Sequence, residues 1–244
     1  MSAVETDPTG ETRMPKQEIS AKVEIAKDGP YLLSGEIPIH KQTIGTNAAG
    51  ESVKWVQGEA FRTRPQTALC RCGRSKHKPY CDNSHAKSGF DGTETASREP
   101  YQSQAKLMRG PAMSLSDAES LCAFARFCDP HGQIWGLVNE TDQPTPRQHF
   151  VREAADCPSG RLVAWDNATG QPIEPDLAPS IGLIEDPVNE CSGPLWLRGG
   201  IPVIGADGFE YEVRNRVTLC RCGASKNKPF CDGTHAAVKF KDGL

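Results

Sequence analysis

CRCGRSKHKPYCDNSH at 70–85 returns as CRCGASKNKPFCDGTH at 220–235, with eleven of sixteen positions identical at a uniform offset of 150. Six of the ten cysteines lie in these two blocks. Self-similarity at a fixed separation marks a repeated structural unit. The match runs on beyond the blocks, pairing Leu69 with Leu219, Phe61 with Tyr211 and Phe90 with Phe240. Upstream, GPYLLSGEIPI at 29–39 is echoed by GPLWLRGGIPV at 193–203, now at an offset of 164. The first copy therefore carries about 14 extra residues, expected around Lys41–Ser52.

Each block presents three thiols and one imidazole as C-x-C-x8-C-x3-H: Cys70, Cys72, Cys81 and His85, then Cys220, Cys222, Cys231 and His235. Soft thiolates with one imidazole suit zinc or an iron–sulfur cluster, and suit magnesium or calcium poorly. His77 aligns with Asn227, which removes it as a necessary ligand. Zinc sites usually space their cysteine pairs as C-x2–4-C, and here a single residue intervenes. A C-x-C pair holds two sulfurs on one side, as one iron of a two-iron cluster requires, with Cys81 and His85 left for the other iron. The spacing favours iron–sulfur and leaves zinc open.

Both blocks resemble the CDGSH iron–sulfur (NEET) family, whose pattern is C-x-C-x2-[ST]-x3-P-x-C-D-G-[SAT]-H. Ser75, Pro79, Asp82 and His85 fit it, as do Ser225, Pro229, Asp232, Gly233, Thr234 and His235. The resemblance implies one [2Fe-2S] cluster per motif, held by three cysteines and one histidine, with a role in electron or cluster transfer. Single-motif members often pair as homodimers and some are membrane-anchored. This chain resembles the tandem branch, so a monomer with a pseudo-two-fold repeat is expected. Asn83 departs from the motif's glycine, yet Asn tolerates positive φ, so the first loop is expected to form. Ser75 and Ser225 are alike, which predicts two sites of similar behaviour, while Asn83 against Gly233 predicts a modest difference.

The fold expected is α+β: two small β-based cluster-binding lobes with an α/β insert between them. Residues 1–20 read as a polar tail, 21–100 as the first iron–sulfur domain, 101–192 as the insert and 193–244 as the second iron–sulfur domain. Phe209, Tyr211 and Val213 alternate with charged residues, which predicts a half-buried strand after the turn Ala206-Asp207-Gly208. Pro65 predicts that the matching strand of the first copy ends early. In the insert, Ser116-Asp117-Ala118-Glu119 has capping-box spacing and predicts a helix to about Cys128, stopped by Asp129-Pro130-His131-Gly132. A second helix is expected from Thr145-Pro146 to about Asp156, with Phe150, Val151, Ala154 and Ala155 on one face. Arg161–Trp165 and Ile181–Glu185 read as strands.

Cys122 and Cys128, six residues apart, would stand about 120° apart on a helix, so one metal could not easily take both. Cys157-Pro158 resembles the Cys-Pro end of a ferredoxin run but lacks its C-x2-C steps. These three read as small buried hydrophobes, with a third metal site as the alternative, and Cys191 as incidental to a turn. Arg71, Arg74, Lys76, Lys78, Arg221, Lys226 and Lys228 read either as solvated loop charges or as a docking patch that also offsets cluster charge. His131 and His149 read as surface residues.

Composition narrows the functional class. Hydrophobic residues make up 37% of 244 and aromatics 7%, while 23 Gly and 19 Pro predict many turns. A net charge of −3 argues against nucleic-acid or membrane-surface binding. No apolar run approaches the roughly 18 residues that span a bilayer, and Met1–Ser20 lacks the apolar core of a secretory signal. A cytoplasmic protein is expected. Neither a P-loop, a GxGxxG after a strand, an HExxH nor a G-x-S-x-G elbow occurs, so an enzyme is not expected. Redox or cluster-acceptor proteins are the expected partners. The reading from another class is a metal-stabilised structural or partner-binding module without redox turnover.

Overall fold

Short apolar stretches punctuated by Gly and Pro build thirteen strands among the described residues, 21–244 of the computed structural model. The tail read at 1–20 lies outside them. The first copy contributes β1 (Lys22–Ile25), β2 (Tyr31–Ser34), β3 (Ile39–Thr46), β4 (Ser52–Phe61) and β5 (Gln66–Leu69). The middle segment contributes β6 (Lys106–Arg109), β7 (Met113–Asp117), β8 (Leu162–Asp166) and β9 (Pro172–Ile173). Then follow β10 (Ser180–Asp186), β11 (Cys191–Arg198), β12 (Val203–Ile204) and β13 (Arg216–Leu219). The chain is mostly β with few helices.

The two copies are interleaved. In the first sheet β1 pairs antiparallel with β2 (Val23 opposite Leu33) and β2 with β5 (Tyr31 opposite Leu69). The outer position beside β1 is filled by β12 of the other copy, parallel, with Val23 opposite Val203. The second sheet repeats this with the copies exchanged. There β10 pairs with β11, β11 with β13, and β3 of the first copy lies parallel on β10 with Ile39 opposite Ile181. Two side-by-side lobes were expected; instead each sheet is completed by a strand of the other copy. The strand Ser180–Asp186, inside the range read as insert, thereby occupies the place that β1 holds in the first sheet. The extra residues of the first copy form the long hairpin β3–β4 at the edge of the second sheet.

One core fills the space between these sheets. Val23, Tyr31, Leu33, Ile39 and Leu69 from the first copy meet Ile181, Leu183, Leu195, Leu197 and Leu219 from the second. Neither copy could bury these side chains alone, so the repeat folds as one unit.

The middle segment is an antiparallel sheet, β6-β7-β8-β9, covered by the helix Pro144–Asp156. Pro144 opens this helix at its first position, where its missing N–H costs nothing. Phe150 and Ala154 face inward onto Leu115, Ile134, Val138 and Leu162. The fully buried Arg216 of β13 donates to the carbonyls of Ala155 (3.0 Å), Cys157 (2.8 Å) and Leu162 (3.3 Å). Glu174 neutralises it at 2.8 Å. One arginine thus satisfies carbonyls at the helix C-terminus and pins the segment to the second sheet. Among the described residues no helix is long and apolar enough to cross a membrane.

Two expected elements are corrected. The helix 116–128 does not form: Ser116 pairs with Val163 across β7–β8, and a 3-10 turn covers only Glu119–Leu121. The capping-box residues are engaged elsewhere, since Ser116 Oγ accepts from Trp165 Nε1 (2.8 Å) and Asp117 takes Arg161 (2.6 Å) and Trp135 (3.0 Å). The strand expected over 209–214 is reduced to one bridge, Ile204 to Glu210, and Val213 is 57% exposed. A crossing segment engages it instead. Glu94 accepts from Tyr211 Oη (3.0 Å), and Glu212 accepts the N–H of Tyr101 (2.5 Å).

Glu153 sits on the inner face of the helix, 4% exposed, with Oε1 3.3 Å from His131 Nδ1 and Oε2 without a partner among the described residues. Burial, and then the charges of Asp129 and Glu51, raise its pKa from 4.5 to about 8. Burial also lowers that of His131, so this contact joins neutral partners near pH 7. The folded state holds the Glu153 proton more tightly than the unfolded state. That stabilisation is complete below about pH 4.5 and is lost as pH rises through about 8. Glu153→Gln is expected to flatten the fall in melting temperature between about pH 5 and pH 8; a fall parallel to wild type would place the titrating group elsewhere.

Candidate metal centres

Each ligand loop grows from the last strand of its copy. After β5 the chain bends through Arg71, Cys72 and Gly73, and the thiols of Cys70 and Cys72 lie together with Sγ atoms 3.8 Å apart. Gly73 then turns the chain at φ +71. The loop closes on itself through the N–H of Cys70 to Pro79 O (2.8 Å) and of Cys81 to Ala68 O (2.9 Å). Ser75 Oγ donates to Tyr80 O (2.7 Å) and accepts the N–H of His77 (3.0 Å). Asp82 clasps the far end, accepting the N–H groups of Lys76 (2.9 Å) and Ser84 (3.0 Å). A left-handed residue, Asn83 at φ 65, starts the turn Ser84–Lys87, which brings His85 Nδ1 to 3.4 Å from Cys81 Sγ. The second loop has the same construction. Its distances are 3.7 Å for Cys220 to Cys222 and 3.4 Å for Cys231 to His235 Nδ1, with Gly233 at φ 83 in the place of Asn83. The asparagine adopts the glycine's conformation, as expected.

These separations suit metal. Two thiolates at roughly 2.3 Å from one tetrahedral metal stand about 3.8 Å apart, and a thiolate with an imidazole about 3.5 Å. The donors therefore come as two pairs, each spaced for its own metal. Among the described residues no group of three or more His, Cys, Asp or Glu is placed to hold one ion. The donor types and their spacing suit iron–sulfur ligation.

Backbone N–H groups point at the sulfurs: Arg74 at Cys72, Asn83 at Cys81, Ala224 at Cys222 and Gly233 at Cys231, all at 3.4 Å. Such donors favour the thiolate, while burial opposes it. Burial wins at Cys72, whose pKa rises to about 11, and at Cys231, held far above the ordinary thiol range. Without metal these thiols keep their protons, and metal binding must release them.

The basic run is corrected in part. Arg71 and Arg221, between the paired cysteines, point away from the thiols into the protein and are 1% and 2% exposed. Arg221 donates to Gly193 O (2.8 Å) and Ile184 O (2.7 Å) and pairs with Glu185 (2.8 Å) and Asp242 (2.5 Å). Arg71 donates to Gly92 O and lies over the rings of Tyr31 and Phe90. Neither can serve a docking patch. Arg74, Lys76 and Lys226 remain exposed.

The two sites also differ, and by more than the exchange of Asn83 for Gly233 accounts for. His85 and Cys81 are half-buried, whereas His235 is 3% exposed and Cys231 is buried. Burial, followed by the nearby Arg221 charge, lowers the pKa of His235 to about 4. The middle segment makes the difference. A Cβ on Gly233 would lie 3.3 Å from Cys122 O, and Asn227 Nδ2 donates to Ser120 O at 2.9 Å.

Cys122, Cys128 and Cys157 form a third group that the helix expected over 116–128 had kept apart. Together with Ala125, Pro158 and Arg161 they line one cavity. The signal was present as Cys157-Pro158, but its meaning depended on the loop conformation. Cys191 stands apart, beside a cavity shared with Asp186 and Glu190.

A family model described as "Iron-binding zinc finger CDGSH type" matches residues 28–86 and 192–236. One described as "Divergent 4Fe-4S mono-cluster" matches residues 108–167. No curated protein and no solved structure matches the chain.

The two ligand loops touch back to back. A Cβ on Gly73 would stand 2.5 Å from Cys222 O, and one on Gly223 would stand 2.5 Å from Cys72 O. Gly50, at φ +81 with nothing within 4 Å, isolates the conformational part of such a substitution. Gly50→Ala is expected to cost about 1–2 kcal/mol in denaturant unfolding. Gly73→Ala should cost clearly more, because a backbone carbonyl must also move. Equal costs would mean that the loop contact gives way freely.

Proposed function

Because this chain is a two-motif member of the CDGSH iron–sulfur family, we propose that each motif holds one [2Fe-2S] cluster and that the protein carries electrons or clusters to acceptor proteins. Cys70, Cys72, Cys81 and His85 would hold the first; Cys220, Cys222, Cys231 and His235 the second. The observation that carries this reading is the arrangement of donors in two pairs per loop, at 3.7–3.8 Å and 3.4 Å. When bound, such a cluster supplies one-electron chemistry whose potential depends on its ligands, hydrogen bonds and exposure. The chain's own groups do the tuning. Four N–H donors face the cysteine sulfurs, two buried arginines lie beneath the C-x-C pairs, and at each site a neutral imidazole takes the place of a fourth, anionic thiolate.

Exposure assigns different roles to the sites. The half-buried His85 end is the one a partner can reach, with Arg74 and Lys76 exposed beside it to meet an acidic surface. The second site, covered by the middle segment, is the retained one. The protein is read as a cytoplasmic monomer and a carrier, not an enzyme.

Cys81→Ser and Cys231→Ser are each expected to remove about two irons and two sulfides per chain from protein purified without oxygen. Transfer to an apo-ferredoxin should empty the first site several-fold faster than the second. His85→Cys and His235→Cys should each lower one midpoint potential, since a histidine ligand raises it. Zinc in place of iron, or variants that lose no metal, would favour a structural module instead.

A further inference from the structure

The segment matched as a four-iron, single-cluster ferredoxin does not bring four ligands. Its cysteines are Cys122, Cys128 and Cys157, the last followed by Pro158. A bacterial ferredoxin run reads C-x2-C-x2-C and ends in Cys-Pro. Laid on that run, Cys122 and Cys128 take the first and third positions, and the middle position is Ala125. It is 6% exposed, packed beside Phe127 and Trp196 and lining the same cavity as the thiols. Asp129 is the nearest other donor, with Oδ1 3.6 Å from Cys128 Sγ, but it is exposed and does not line the cavity.

The backbone of 122–128 is shaped for an anion. Phe124 and Arg126 have φ of 54° and 60°, while the residues between and beside them do not. Alternation of positive and negative φ turns the chain sharply at every second residue, the kind of geometry from which anion-binding nests of N–H groups are built. None of the six N–H groups from Ala123 to Cys128 has an acceptor among the described residues, although Ala123, Ala125 and Phe127 are buried. Buried donors are rarely left so. Arg161, held in place by Asp117 at 2.6 and 2.9 Å, stands in the wall. If the three cysteines were only core filler, the open N–H groups of the buried Ala123, Ala125 and Phe127 would have no account.

We propose that Cys122, Cys128 and Cys157 hold a third cluster through three thiolates only, as a three-iron [3Fe-4S] cluster, with Ala125 standing where the ligand of a fourth iron would be. The inference rests on the iron–sulfur reading of residues 108–167 and is independent of the ligands of the two repeated motifs. The site abuts the second motif through Cys122 and Gly233, so the third cluster is the inner neighbour of the covered one.

The test uses the full chain purified without oxygen. Wild type is expected to contain about seven irons and eight sulfides per chain. The oxidised protein should show the paramagnetic resonance signal of a three-iron cluster, which oxidised two-iron clusters lack. Cys157→Ser should remove that signal and about three irons, while the reduced two-iron signals of the motifs persist. Cys122→Ser serves the same end should Cys157→Ser fail to fold. Ala125→Cys should add one iron and replace the oxidised signal with that of a reduced four-iron cluster. A four-iron cluster in wild type, unaffected by Ala125→Cys, would overturn the proposal and point to another fourth ligand such as Asp129. Unchanged iron in both serine variants would reduce the three thiols to packing. Loss of the motif signals with the third signal intact would instead count against the two-motif reading alone.

Discussion

Everything in this molecule is organised around the contact of two glycines with two cysteine carbonyls. Gly73 packs on Cys222 and Gly223 on Cys72, so close that no side chain fits between. The contact places the two ligand loops back to back on a pseudo-two-fold axis. It also explains why the strands are exchanged. Loops that meet at the axis bring the neighbouring strands of both copies together, and β12 and β3 complete the opposite sheets. Tyr31 reinforces the arrangement from the first copy, its hydroxyl donating to Cys220 O (2.8 Å) and Pro229 O (3.1 Å) of the second loop. The candidate sites therefore lie at the joint between the copies, where either loop can feel a change in the other.

Symmetry stops at the loops. Tyr31 corresponds to Leu195 at the offset of 164, and a leucine cannot return the favour to the first loop. Arg221 has two carboxylates, one of them the fully buried Asp242, whereas Arg71 has a carbonyl and two aromatic faces. A buried guanidinium without a carboxylate leaves more of its field for a nearby anion. The middle segment adds the largest difference, because it covers only the second loop and is tied to it by Arg216. Two nearly identical sequences thus acquire an open site and a closed one from their surroundings alone.

Much of this was legible in the residues. The repeat, its 164 offset and the Asn83 substitution could be read because they concern local chemistry and identity. The helix at 145–156 could be read from its proline and its apolar face. The failures share one cause, which is that a distant partner decided the outcome. Ser116 and Asp117 have capping chemistry, but Trp165 and Arg161 claim their side chains from another strand. Phe209 to Arg214 alternates like a strand, but the two-residue β12 pairs only with its start, through the Ile204–Glu210 bridge, and Glu94 and Tyr101 engage the rest. Arg71 and Arg221 look like loop charges because nothing in the sequence says that the alternate side of C-x-C faces the interior. The parallel pairing of β1 with β12 joins residues about 180 apart, which no window of sequence contains.

The loop at 122–128 brings these strands of argument together. A helix there would have been the cheaper conformation, yet it would have spent its N–H groups on its own carbonyls and held Cys122 and Cys128 about 120° apart. The observed loop does neither. It places two non-glycine residues in the left-handed region, at a cost of about 1–2 kcal/mol each. It also leaves six N–H groups open, the buried ones at further cost. Such a conformation persists only where its surroundings over-determine it. Phe127 and Ala125 supply part of that by packing against Trp196 and Ile184. Packing fixes the side chains but satisfies no N–H group. An anion at the centre of the loop, held by the thiols at its ends and by Cys157 opposite, would satisfy the donors and make the left-handed residues necessary. The strain, the open donors and the cavity shared by three cysteines then have a single explanation.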